Sequence, residues 1–330
     1  MGVMSQFGND LYSGKRSFPF VAKRRLWFII AALLVLGSVL VPFVRPIQFS
    51  IEFTGGSQFT VSGLSSPIDQ SLATPAVQSV VPGAATKVTT IGDTAVRAQT
   101  DQMTSDETQQ VRFALADAYG VPVDEVTSSF IGPSWGADVT RQSLWGLAIF
   151  LALTFLILAL YFRTWKMSMA AILGLVDVLI ITIGIYAAAG FEISPAAVIG
   201  FLTILAYSLY DTTVVFDKVR ETTYEDGESS ARTFGESVNL GVNQTLVRSI
   251  NTTIVAALPV GAILFIGAFW LGAETLSDIS LSIFVGIIVA AYSTLFVAAP
   301  LYALFRQNEK GIKARDAKVL AARERAAIPA

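Results

Sequence analysis

The chain is 330 residues long, 53% hydrophobic and only 15% charged, with a formal net charge of −2. That balance excludes an ordinary soluble domain and offers no basic excess for a nucleic-acid partner; it belongs to a polytopic membrane protein. Cysteine and histidine are both absent, so disulfides and thiolate metal sites are ruled out and the usual proton carrier near neutral pH is missing. Proton chemistry then falls to carboxylates, tyrosines or water, and neither a cofactor nor a metal is expected.

In chain order, residues 1–25 form a basic N-terminal stretch, with Lys15, Arg16, Lys23, Arg24 and Arg25 against Asp10 alone. A bilayer span needs about 20 mostly apolar residues, and six stretches qualify: 26–44, 143–162, 168–189, 195–216, 250–271 and 279–304. The first is too long for the apolar core of a cleavable signal and lacks a small-x-small site after it, so it reads as a helix. Residues 45–141 carry five basic side chains against ten acidic ones, whereas the tail 305–330 is basic again. The positive-inside rule therefore puts both termini in the cytoplasm and the acidic segment outside. The stretch 217–249 mixes both signs and reads as a solvated, amphipathic cytoplasmic connector.

The segment 45–142 is long enough for a small α+β domain between helices 1 and 2. Its sequence predicts a hairpin, with 47–53 turning at Thr54-Gly55-Gly56 into 58–61. It then predicts a helix over 69–81, strands over 86–90 and 95–99, a helix over 105–119 and a strand over 125–130. Thr104 and Glu107 have capping-box spacing, and Gly120-Val121-Pro122 stops the helix. The order suggests a compact, ferredoxin-like sandwich. Ile131-Gly132-Pro133-Ser134-Trp135-Gly136 reads as a hinge into the second span. Ser194-Pro195 supplies N-cap and N1 chemistry for the fourth, and Pro259 is expected to kink the fifth. Gly184, Gly200, Gly261, Gly267 and Gly286 are expected at close helix contacts.

Polar residues inside the spans carry the functional signal. Asp211 lies in an otherwise apolar stretch, where a carboxylate usually faces a bundle interior or a water path. Tyr207, Ser208 and Thr212 surround it with further polar groups. The bland alternative is an interhelical hydrogen bond or static ion pair. Asp211 is about five residues, or roughly 8 Å, from the cytoplasmic end of its span, whereas Asp177 is roughly 14 Å deep in the preceding one. Asp177 reads either as a second proton-path carboxylate or as a packing group. Arg248, at the mouth of the fifth span, is either a snorkelling anchor or a partner for Asp211. Asn251 and Thr252 follow it into the membrane, which an anchor does not need.

Four of these runs together amount to a resemblance. Ile51-Glu52-Phe53-Thr54-Gly55-Gly56 resembles the DFTGG signature of the SecD/SecF family, and Ile131–Gly136 resembles its VGPxxG joint. Tyr207–Glu221 is similar to the run GYSLNDTVVVFDRIRE of the SecF branch, and Gln244–Thr253 to its QTLxRSINT. The resemblance implies a six-helix protein of the resistance–nodulation–division superfamily in the bacterial plasma membrane. It implies a non-enzymatic accessory subunit that pairs with SecD, acts beside the SecYEG channel on a translocating preprotein, and draws on the proton-motive force. It implies that Asp211 occupies the proton-path position and Arg248 that of its basic partner. Departures are Glu52 for aspartate, Ala206 for glycine, Tyr210 for asparagine, and Val176-Asp177 where the family has His-Asp. Two other readings are an intramembrane aspartyl protease and a half-size small-molecule exporter. Tyr210-Asp211 fits the protease pattern, but Asp177 follows Gly174-Leu175-Val176 rather than Gly-x-Gly, and the two depths differ. The exporters usually hold two halves in one chain, so a partner half is expected in either case.

Overall fold

The computed structural model of the chain describes residues 3–91, 94–225, 231–270 and 274–327. Six helical stretches among them are long and apolar enough to cross a membrane: Arg24–Val44, Ser134–Phe162, Trp165–Ala189, Pro195–Tyr224, Phe234–Gly267 and Leu276–Arg306. On the first two, Leu33, Leu40, Leu153 and Leu160 stand exposed, the pattern expected where hydrocarbon rather than water is the surrounding solvent.

Helix α1 (Val3–Tyr12) precedes the spans, and α2 (Arg24–Val44) is the first of them. A strand β1 (Gln48–Phe49), one helical turn α3 (Ile51–Thr54) and a strand β2 (Gly56–Val61) follow. The expected hairpin does not form. Strand β1 pairs in parallel with β6 (Glu192–Ile193), far along the chain, and α3 occupies the residues that a hairpin would have used. Gly55 and Gly56 make the corner with φ of 75° and 134°, values that favour glycine. A Cβ on Gly56 would also strike the carbonyl of Thr100.

From β2 the chain continues through α4 (Ala73–Val80), β3 (Thr86–Ile91), β4 (Ala95–Thr100), α5 (Ser105–Tyr119) and β5 (Val126–Ile131). The four strands β2 to β5 form one antiparallel sheet in the order β3-β4-β2-β5. Helices α4 and α5 contact each other and lie against this sheet. Phe59, Val61, Val77, Val96, Val111, Leu115 and Val126 make the core between the layers, each worth roughly 1.5–3 kcal/mol by removal from water. The capping box forms as the spacing requires: Thr104 Oγ1 accepts from Glu107 N–H at 3.3 Å, and the Glu107 carboxylate accepts from Thr104 N–H at 2.8 Å. Gly120 ends α5 in the left-handed conformation.

Helix α6 (Pro133–Phe162) runs unbroken into the second span. Ser134, Trp135 and Gly136 therefore belong to its first turns, and the joint contracts to Ile131-Gly132. Helix α7 (Trp165–Ala189) leads through β6 to α8 (Pro195–Glu225), which Ser194 caps by accepting from Ala197 N–H at 3.1 Å. Helix α9 (Phe234–Ala262) and the π-helical stretch Ile263–Trp270 make the fifth span. Helix α10 (Glu274–Ser293), a π-helical stretch Thr294–Ala298 and α11 (Ala299–Arg306) make the sixth. A last helix, α12 (Lys310–Ala327), lies beyond them.

Helices α7, α8 and α10 form the buried centre. Helix α2 packs on α7, and α9 packs on α8 and α10. The expected connector 217–249 is instead mostly helix: α8 continues to Glu225 and α9 starts at Phe234. Phe216, Val219, Phe234 and Val238 bury themselves in one cluster with Tyr302, so one face of these extensions is held by packing while Arg220, Glu221 and Glu236 stay exposed on the other. Residues 226–230 of that stretch lie outside the described residues. Pro259 is absorbed within α9, and the irregularity comes just after it as the π-helical stretch. Gly184, Gly200 and Gly286 do sit at helix contacts, against Ser38, Ser282 and Ile204, and Gly261 lies against Phe284. Gly267 meets no other helix among the described residues: the nearest atom to its Cβ position is Ile263 of its own helix, at 3.8 Å.

Candidate functional site

Asp211 is 5% exposed on α8 and faces α9. Residues three and four apart share a helix face, so Tyr207 and Ser208 lie one turn away on the same side. Ser249 of α9 donates to Asp211 Oδ1 at 2.9 Å, and Oδ2 is buried with no hydrogen-bond partner among the described residues. The Tyr207 hydroxyl is buried near Thr253, with no hydrogen-bond partner of proper geometry among the described residues. Ser208 is fully buried, and Thr212 bonds Thr294 of the π-helical stretch at 3.0 Å between hydroxyl oxygens.

Arg248 does not contact Asp211. No ion pair joins them among the described residues; Arg248 Nη2 donates instead to the Tyr210 hydroxyl at 3.4 Å, on an exposed face. Successive helix residues point about 100° apart. With Ser249 turned inward to Asp211, its neighbour Arg248 must turn outward. Asn251 is exposed and Thr252 half-buried on the same helix. Ser249 is thus the residue that sequence reasoning left out. Its signal was present in the polar run after Arg248, but the charge of the arginine drew the assignment.

Asp177 is 7% exposed in α7, and its Oδ2 has no hydrogen-bond partner among the described residues. Nearby, Ser293 donates to the Gly174 carbonyl at 3.0 Å, tying α7 to the sixth span. No hydrogen bond joins Asp177 to Asp211 among the described residues, so the two carboxyl groups do not share a proton as a protease dyad would.

A second polar cluster lies at the opposite end of the bundle, beneath the sheet. Glu192, in β6, accepts from Lys87 of β3 and, at 3.2 Å each, from Arg97 and Gln99 of β4. Below it, Ser194 donates to Asp278 of α10 at 2.5 Å. A cavity of about 270 Å³ lies between Glu52, Gln58, Arg97, Glu192 and Asp278. The α+β domain is therefore fastened to the bundle by one carboxylate and by the β1–β6 pairing. The motif residues reinforce the fastening. Gly136, at the start of α6, meets the carbonyl of Phe53 so closely that any Cβ would clash, and it lies beside Gly55. Gly55-Gly56 and Gly132–Gly136 thus belong to one corner. In the sequence, Glu192 reads only as part of a short turn before Ser194.

Comparison with known proteins gives the family. Residues 113–308 match the family described as protein export membrane protein SecD/SecF, C-terminal, and residues 41–62 match the SecD/SecF GG motif. The chain belongs to the SecD/SecF family. Within that family it is 39% identical to the protein translocase subunit SecF of Streptomyces coelicolor, over 99% of this chain and 87% of that one. It is 34% identical to SecF of Mycobacterium tuberculosis strain H37Rv, over 95% of this chain and 73% of the relative. The crystal structure of SecDF, a translocon-associated membrane protein from Thermus thermophilus, superposes with a TM-score of 0.79 at 26% identity. That match covers 93% of this chain and 40% of the SecDF chain. Family membership and six apolar helices make this a multi-pass membrane protein.

Proposed function

We propose that the chain is an accessory subunit of the Sec preprotein translocase that pairs with SecD and uses the proton-motive force to promote export. On this reading the α+β domain is ferredoxin-like and extracytoplasmic, both termini are cytoplasmic, and SecYEG and the translocating preprotein are the further partners. The T. thermophilus relative named SecDF is a longer chain of which this one matches 40%, which supports SecD as the missing half. The outward face carrying Tyr210, Arg248 and Asn251 supports the same view. Polar groups at bundle depth are costly against lipid and suit a second half that covers them.

The single observation behind the proton role is Asp211, held by Ser249 through one oxygen while the other stays buried and unbonded. A proton can be taken and given up at Oδ2 without breaking the Ser249 bond. Tyr207, with its own open hydroxyl, lies on the same face. Rocking of the partner half then brings Arg248 toward Asp211 or leaves it on Tyr210, so that protonation and conformation become linked. Each proton crossing 100 mV supplies about 2.3 kcal/mol, enough to bias such a cycle. The joint at Ile131-Gly132, just ahead of Pro133, and the corner at Gly55-Gly56 carry the motion to the outer domain.

Asp211→Asn tests this. Asparagine keeps the size and still accepts from Ser249 but cannot titrate. Membrane insertion and association with SecD should be normal, while proton-dependent stimulation of export into inverted vesicles should be lost. Export at the parental rate under an imposed gradient would remove Asp211 from the proton path.

A further inference from the structure

A cleft of about 820 Å³ opens where α2 begins, away from both aspartates. One wall is the segment joining α1 to α2, and two asparagines of α9 fix it in place. Asn243 accepts from Phe18 N–H at 2.7 Å and donates to the Phe18 carbonyl at 3.0 Å. Asn239 accepts from Val21 N–H at 3.1 Å and donates to Ser17 Oγ at 2.9 Å. The other wall is the first turn of α9 and α12, where Arg323 forks onto Glu236 at 2.9 and 2.7 Å. Each part is tied by hydrogen bonds, so the cleft is built into the fold.

Its charge is unbalanced. Arg323 and Glu236 satisfy one another, and Arg232 is already partnered. Arg24 and Arg25 line the cleft with no carboxylate within ion-pair distance among the described residues. They are also the first two residues of an apolar helix. They therefore lie where the chain enters the membrane, the level of phospholipid phosphates. Planar guanidinium forks match phosphate oxygens, and basic pockets beside membrane helices suit anionic head groups.

We propose that this cleft binds the phosphate of an anionic phospholipid, with Arg24 and Arg25 as its cations. Simple snorkelling would make both arginines indifferent to the shape around them. A head-group site depends on the cleft as well as the charge.

The test uses the full-length chain in mild detergent, titrated with fluorescent short-chain phosphatidylglycerol and phosphatidylcholine. The parent protein should prefer phosphatidylglycerol by about tenfold or more. Arg24→Gln with Arg25→Gln should abolish the preference. Arg163→Gln with Lys310→Gln, which removes two charges outside the cleft, should preserve it. Ala22→Trp fills the cleft without changing charge and should also abolish it. This variant decides the matter even if the arginine pair proves needed for folding. Equal affinity for both lipids, or an unchanged preference in Ala22→Trp, would overturn the proposal. Glycerol 3-phosphate binding as tightly as the lipid would assign the cleft to a soluble phosphate and overturn the lipid source.

Discussion

Glu192→Gln is expected to loosen the α+β domain from the bundle. Glu192 and Arg97 have side chains only 12% and 13% exposed, while Lys87 is 33% exposed. Removing the carboxylate charge takes from Lys87 and Arg97 the anion they share, while Asp278 still acts on Arg97 across the cavity. Breaking a fully buried ion pair costs about 3–5 kcal/mol. Here Lys87 can turn to water, and glutamine still accepts one hydrogen bond, so about 2 kcal/mol is the reasoned cost. That is roughly a 30-fold shift in the docking equilibrium. The β1–β6 pairing persists, so the domain should sample a wider range of positions rather than detach. Because the chain has no cysteine, spin labels can be placed cleanly at Gln110→Cys and Ala189→Cys. Dipolar spectroscopy should then show a narrow distance distribution in the parent and a broad one in Glu192→Gln. Arg97→Gln should broaden it too, and the double variant should add little, since both changes break one contact. A distribution as narrow in Glu192→Gln as in the parent would refute the latch.

Arg248 should support secretion in the order arginine, lysine, methionine at equal membrane abundance, because a snorkelling anchor accepts lysine freely whereas a forked donor does not; full activity of Arg248→Met would leave it an anchor. Asp177→Asn should impair proton-dependent export less than Asp211→Asn, measured in the same vesicles, since no histidine precedes it; an equal loss would give Asp177 a proton role. A disulfide engineered across Ile131-Gly132 should block secretion support while leaving association with SecD intact; unchanged secretion with complete cross-linking would exclude motion at the joint. Glu309, just beyond the last span, is pushed up by burial but brought below its ordinary 4.5 overall by hydrogen bonds from Arg306 and Lys166. Its folded value is lower than its unfolded one, so its contribution is complete above pH 4.5 and lost as pH falls through the folded value. Hydrogen exchange at the start of α12 should accordingly rise under acid in the parent and be less pH-sensitive in Glu309→Gln.

Much of the molecule is written locally. Six long apolar runs find their spans because lipid requires every backbone group to be satisfied within a helix. Thr104 and Glu107, Ser194, and Gly120 each act within a few residues of themselves, and the helix Ser105–Tyr119 begins and ends where they say. The polar face around Asp211 was legible for the same reason, since turns of one helix fix which residues share a side. Tertiary structure decided what pairs across the chain. Residues 217–249 lack a continuous apolar run, yet α8 and α9 persist there because Phe216, Val219 and Phe234 bury one another and Tyr302. The hairpin expected at Gly55-Gly56 gave way to β1 pairing with a strand more than a hundred residues later. Whether Ser249 or Arg248 meets Asp211 depends on the rotation of α9 about its own axis. That rotation is set by the neighbours it packs on, and a single helix's sequence does not contain it.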